Sequence, residues 1–320
     1  MYQFSKRGIR RSACLRGTII LVWILFAIGA LVFQAVTATI DKIAVVKDKT
    51  INTLAATFWR QVVFWLWSCF FAVLGVAGSL TLFVRWPIVL LAMLFMASSF
   101  FYTYLLKKVE LTGFSVVAYL SPFLYLLVDT IILKLHVSAF QTFGILLLTA
   151  GGMLFALNPK GGIKKEFTAK VWGIFAYDFL MNGVAYYSFK YYSTTYQLNE
   201  VSYFFNIWMV MVAMLAVVVI FHSNRKTVWH TALSHGYLAK VTLSKGLDAV
   251  YAYLGFHAIA LATVSQVNGM SALFPLILVI VVYASQKIFK FKAGEKFSHG
   301  HIILKFVAVV LLCIGGFMAR

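Results

Sequence analysis

Long apolar runs separated by short polar links account for nearly the whole chain: residues 18–40, 52–78, 86–106, 111–133, 138–157, 171–193, 200–222, 235–256, 262–288 and 300–319. Each approaches or exceeds the ~20 residues that an α-helix needs to cross a hydrocarbon core. None alternates with the period of two that marks a strand of a membrane barrel. A spanning segment must satisfy its backbone hydrogen bonds internally, so the pattern predicts ten transmembrane helices and an all-α integral membrane fold. The eighth run is the most polar, since it carries Lys240, Lys245 and Asp248.

The runs fall into two groups of five. A basic tail, 1–17, precedes the first group, 18–157; a polar link, 158–170, with Gly161-Gly162 and Lys164-Lys165-Glu166, leads to the second, 171–320. The second group echoes the first. Tyr102-Thr103-Tyr104-Leu105 ends the third run and Tyr251-Ala252-Tyr253-Leu254 lies in the eighth, each followed by a run bearing a proline, Pro122 or Pro275. Because five is odd, the second copy starts on the opposite face of the membrane. The two repeats are therefore expected to be inverted, the arrangement in which transporters place a substrate path at the repeat interface.

Composition agrees. Hydrophobic residues make up 62% of the 320 and charged residues 12%, about half the charged share of a soluble domain. The run 18–40 follows basic residues as a signal peptide would, but it is too long and lacks a small-residue cleavage site, so it reads as a retained first span. Cys14, Cys69 and Cys313 are scattered and form neither a disulfide framework nor a metal site. The formal charge of +19 is dispersed in loops and the tail, which suits anionic lipid headgroups and not nucleic acid. Loop lysines and the basic tail give opposite orientations under the positive-inside rule.

In order and spacing, several features resemble the drug/metabolite transporter superfamily, and the EamA-type transporters in particular. They are the five-plus-five pattern, Arg60 early in the second run, Pro122 and Pro275, and Gly294-Glu295-Lys296-Phe297-Ser298 before the tenth run. The last is similar to the family's Gly-Glu-Arg/Lys turn. The first-half turn, Leu133-Lys134-Leu135-His136-Val137-Ser138, lacks the glutamate, and Pro122 to Ser138 spans 16 residues where Pro275 to Ser298 spans 23. The resemblance implies a multi-pass protein of the bacterial inner (plasma) membrane, termini cytoplasmic, that transports a small metabolite.

Ionisable and polar groups at bilayer depth cost enough to be functional candidates by default. Asp178, Asn182 and Tyr186 follow at four-residue steps on one face of the sixth predicted helix. Asp178 is a candidate coupling site or counter-ion, or else a structural hydrogen-bonding group. Lys245 and Asp248, with Tyr251 one turn on, form either a self-neutralising pair or, if Lys245 snorkels away, a free carboxylate. Ser121, Tyr125 and Asp129 share a face beside Pro122. Pro122 and Pro275 are candidate hinges or path-lining positions, since a proline frees a backbone carbonyl one turn earlier. Arg60 either binds a substrate anion or anchors its helix at headgroup depth. Phe64, Trp67 and Phe71 beyond it are read as lipid-facing bulk or a cation cage, and Asn206 completes the pathway candidates. His257 is read as solvated, and Gly151-Gly152 and Gly315-Gly316 as points of close helix approach.

The expected function is secondary transport of a small polar metabolite, an amino acid, amine or similar, by alternating access with possible proton coupling. No Walker loop, GxSxG elbow or HExxH pair is present, so no enzyme, cofactor or metal is expected. Two other classes stay open: a non-transporting subunit or lipid-linked-sugar flippase component, and a membrane-embedded lipid enzyme. The last would need a histidine beside a carboxylate, which no sequence neighbours supply. A homodimer also stays open.

Overall fold

The computed structural model describes residues 6–46, 51–74, 80–109, 126–127, 130–131, 138–154, 168–223, 225–233, 236–261, 267, 273–289 and 299–318. Most of them are helical, and there is no strand among them. The helices are α1 (Lys6–Val46), α2 (Thr53–Val73), α3 (Trp86–Lys108), α4 (Ala139–Leu154), α5 (Ala169–Tyr196), α6 (Glu200–Phe221), α7 (Arg225–Leu233), α8 (Tyr237–Leu261), α9 (Phe274–Phe289) and α10 (His299–Met318). Nine of the ten apolar runs thus coincide with a described helix. The fourth run, with Ser121, Pro122, Tyr125 and Asp129, lies outside the described residues except at 126–127 and 130–131, and so does the Gly294–Ser298 turn.

Local chemistry sets several boundaries. Asn52 starts α2 by accepting the Leu54 N–H at 3.1 Å, and Asn199 starts α6 by accepting that of Ser202 at 2.7 Å. A side-chain oxygen there satisfies one of the orphan donors of the first turn. Gly236, at φ +67°, joins α7 to α8 in a conformation that favours glycine.

Three boundaries differ from expectation. The helix α1 extends from Lys6 to Val46 (41 residues), so the backbone from Lys6 onward is helical and the polar Asp41 and Lys42 lie inside the helix. Pro275 falls in the first turn of α9, with the Ile277 N–H bonded to the Leu273 carbonyl at 3.1 Å. There a proline's missing N–H costs nothing. The helix α7 was not expected; it packs on α2, where Trp59 Nε1 donates to the Val228 carbonyl at 2.8 Å and Trp59, Trp229 and Phe58 meet edge to face.

The helix α1 lies along α8 and also touches α3 and α9; α2 packs on α6 and α8; α3 packs on α5 and α6; α4 pairs with α10. One large apolar core joins α1, α2, α3, α5, α6 and α8 around Phe64, Phe189, Tyr203, Ile207 and Phe256. Phe64 is buried, its ring 4.8 Å from that of Trp208, so that part of the aromatic stripe on α2 faces protein. The α4–α10 pair is close because of glycine. A Cβ on Gly315 would stand 2.7 Å from the Gly144 carbonyl oxygen, and one on Gly151 3.0 Å from that of Ala308.

Among the described residues, three helices are long and apolar enough to cross a membrane: Val22–Val45 of α1, α3, and α6. Shorter apolar stretches occur in Thr142–Gly151, Leu276–Lys287 and Phe306–Gly315. Outward faces are apolar too, with Leu25, Phe70, Trp86, Phe143, Phe221, Ile303 and Phe306 all exposed. So many large apolar side chains exposed on the described helices suit a membrane better than water.

Candidate functional site

Asp41 is the centre of a buried charge cluster. Its carboxylate is fully buried and takes partners from three other helices. From α2, Arg60 Nη2 donates to Oδ2 at 2.7 Å. From α3, the Tyr102 hydroxyl donates to Oδ2 at 3.3 Å. From α8, the Ser244 hydroxyl donates to Oδ1 at 2.5 Å and Lys245 Nζ lies 3.3 Å from Oδ2. Such a carboxylate is tolerated in an apolar interior because both oxygens accept hydrogen bonds and two cations stand beside it.

The cations are shared. Arg60 Nη1 donates to Thr103 Oγ1 at 3.1 Å, and its guanidinium lies 4.4 Å from the Tyr102 ring centroid. The Arg60 Nε is buried with no hydrogen-bond partner among the described residues. Lys245 Nζ donates to Asp248 Oδ2 at 2.6 Å while remaining 3.3 Å from Asp41. One ammonium therefore serves two carboxylates. They differ in access: the Asp248 side chain is 24% exposed and that of Asp41 is 0% exposed.

The polar chain continues toward α5. Tyr251, one turn past Asp248, hydrogen-bonds Tyr186 and lies within electrostatic reach of both Asp248 and Asp178. Asp178 accepts a hydrogen bond from Ser98 of α3 at 2.7 Å. Arg60, the Asp248–Tyr251 pair and the Asp178–Tyr186 stripe, three separate candidates in the sequence, are thus brought near one another. The two tyrosines of the repeated motif, Tyr102 and Tyr251, both lie within electrostatic reach of Asp248.

Other candidates have other surroundings. Asn206 is buried and holds the extended segment before α3. Its Oδ1 accepts the Phe83 N–H at 2.8 Å, and its Nδ2 donates to the Thr81 and Ser202 carbonyls at 2.8 and 2.7 Å. Arg60 is sealed in the interior and not at an exposed helix end. Lys245 does not snorkel; its intrahelical pair with Asp248 is present but shared with Asp41. His257 has a partner from another helix, its Nδ1 3.5 Å from Glu200 Oε1. The side chains of Asn182 and Pro275, and all of Pro122, Tyr125 and Asp129, lie outside the described residues.

Asp41 was missed because the apolar run appears to the eye to stop at Ile40. A signal was nonetheless present. Thr37, Ala38, Ala44 and Val45 lie three or four residues from Asp41, on its helix face, and all are buried. The small, weakly polar residues on that face mark a helix–helix contact continuing past the charge. Lys42 and Lys107, counted as loop cations, also bond inside the fold. Lys42 Nζ donates to the Leu106 and Val109 carbonyls at 2.6 and 2.7 Å, at the C-terminal end of α3, and Lys107 Nζ to the Ile51 carbonyl at 2.7 Å. Cations there offset the helix dipole.

No family model matches this sequence, and no curated protein matches it. A solved structure described as "Crystal structure of protein" is similar to it at a TM-score of 0.59 and 15% sequence identity, over 91% of this chain and 97% of that chain. At that identity the likeness is one of fold.

Proposed function

We propose that this chain is a multi-pass secondary transporter for a small polar metabolite bearing a cationic group, an amino acid or amine, built as ten spans in two inverted five-helix repeats. The observation that carries the reading is the Lys245 ammonium shared between a sealed carboxylate, Asp41, and an accessible one, Asp248. A buried charge cluster is expensive in an apolar setting and is retained where charge must move.

In this mechanism a proton or the substrate's cationic group arrives at Asp248 and displaces Lys245, which leans wholly onto Asp41. The displacement draws α8 along α1. Tyr102 and Tyr251 flank the arriving cation, and Asp178 accepts it next on the path toward α5. The chain performs no covalent chemistry.

Helix pairing supports the inverted repeat. Exchanging the halves, with α1 for α5, α2 for α6, α3 for α8 and α4 for α10, turns the α1–α8 contact into α5–α3, and α2–α8 into α6–α3. It also returns α2–α6 and α4–α10 to themselves, and all of these contacts occur. The resemblance to EamA-type transporters, the bacterial plasma membrane and cytoplasmic termini belong to the same reading.

The test is a thermal-shift panel of amino acids, quaternary amines, nucleotides and sugar phosphates on the purified protein. Flux of any stabilising compound into proteoliposomes under an imposed pH gradient follows. Asp248→Asn is expected to lower flux at least tenfold while the protein still folds. Undiminished flux in Asp248→Asn, or stabilisation by none of the compounds, removes the reading.

A further inference from the structure

Away from the charge cluster, a cleft of about 360 Å³ opens between the start of α3 and the end of α5, a size at the low end of pockets that hold small molecules. Its walls are apolar and aromatic: Trp86, Leu90 and Leu94 on one side, Val184, Tyr191 and Tyr192 on the other. Arg85 lies at its mouth. Because α3 rises ~1.5 Å per residue, the wall from Arg85 to Leu94 runs ~13 Å down the helix. Trp86 is 76% exposed and Leu90 48%, so the slot opens sideways onto the outer surface as well as at the end of α3.

The mouth carries a positive charge that no acidic side chain among the described residues neutralises. Arg85 is the N-cap of α3, makes no side-chain cap bond, and no acidic residue lies in that helix's first turn. Its guanidinium is exposed and held over the rings of Phe83 and Tyr196, 4.7 and 5.2 Å from their centroids. Arg85 forms no salt bridge with a described residue. A cation at the positive end of a helix is unfavourable unless an anion neutralises both. The mouth is also rigidly built, because Asn206 and Ser202 fix the backbone at Thr81 and Phe83, just ahead of Arg85.

We infer that this cleft binds an anionic phospholipid, its phosphate on the Arg85 guanidinium at the head of α3 and one acyl chain in the slot beside Leu90 and Val184. A soluble anion would use the mouth but leave the apolar slot unfilled, and a zwitterionic lipid would fill the slot but leave a net positive charge at Arg85, because its choline cancels the charge of its phosphate. The inference rests on α3 spanning a membrane and does not depend on transport.

The experiment equilibrates the detergent-purified full chain with an equimolar mixture of phosphatidylglycerol and phosphatidylcholine of matched chains, and reads retained lipid by native mass spectrometry. The expected result is a roughly fivefold preference for phosphatidylglycerol, the factor one basic residue confers toward an anionic lipid surface. Arg85→Gln is expected to abolish the preference, and Val184→Trp to lower phosphatidylglycerol retention by filling the slot. Leu90→Trp fills it from the other wall should Val184→Trp not fold. Equal retention of the two lipids by the unmodified protein overturns the site. So does a preference that survives Arg85→Gln or both slot-filling variants, or displacement of the lipid by excess inorganic phosphate. Retention of neither lipid overturns the membrane reading along with it.

Discussion

At the scale of single residues, Asp41 has the most to lose. Removing the charge at a buried pair leaves its partner uncompensated, at a cost of about 3–5 kcal/mol. Asp41→Asn is therefore expected to lower thermal stability in detergent sharply. The double variant Asp41→Asn/Arg60→Gln should lie closer to the unmodified protein than the single-variant losses would sum to. Additive losses would separate the two side chains. Asn206 is a second such point, serving backbone groups on two segments. Asn206→Ala exposes or strands the Phe83 N–H and Thr81 carbonyl, a loss of about 1–3 kcal/mol per buried group. Hydrogen exchange at the Phe83 amide is expected to accelerate while exchange in α8 stays unchanged.

Between elements, the glycines of α4 and α10 set how closely the two helices approach. With the Gly144 carbonyl only 2.7 Å from where a Cβ on Gly315 would lie, the helices must separate to admit any side chain. Gly315→Leu is expected to lower the melting temperature by several degrees. The control is Gly173→Ala in α5, where nothing lies within 4 Å of the added carbon. It should be neutral or slightly stabilising, since alanine exceeds glycine in helix propensity by about 1 kcal/mol. Equal effects of the two substitutions would show that helix approach is not what Gly315 serves. The pairing also explains how α4, 16 residues long as described, and α10 bury their inner faces: Leu148, Ala308 and Leu312 form their own small core.

Across the whole molecule, the proposed inverted repeat makes a prediction about topology. In that proposal, five spans before the 158–170 link and five after it put Gly161 and Arg320 on opposite sides of the membrane. Reporter fusions at the two positions are expected to give opposite accessibility, with the Arg320 fusion cytoplasmic. Both reporters on one side would mean that the second half does not contain an odd number of crossings. The same arrangement sets what each half contributes to the polar chain. Asp41 and Arg60 come from the first half and Lys245, Asp248 and Asp178 from the second, so movement of one half against the other changes the distances among them.

The helical class, the positions of nine helices and the close helix approach at Gly151 and Gly315 were legible in the sequence, though not that the two glycines serve one α4–α10 contact. Apolar run length and small-residue placement depend on local chemistry alone. The pairing of Lys245 with Asp248 was legible too, because both lie on one helix three residues apart. The partners of Asp41 were not. They sit 19 to 204 residues away along the chain, and no periodicity within α1 records which helix will lie against it. Nor does local pattern distinguish a lysine that faces water from one, such as Lys42 or Lys245, that caps a helix or neutralises a carboxylate inside the fold. Burial of charge is decided by what arrives from elsewhere to compensate it, and that compensation exists only once the helices have packed.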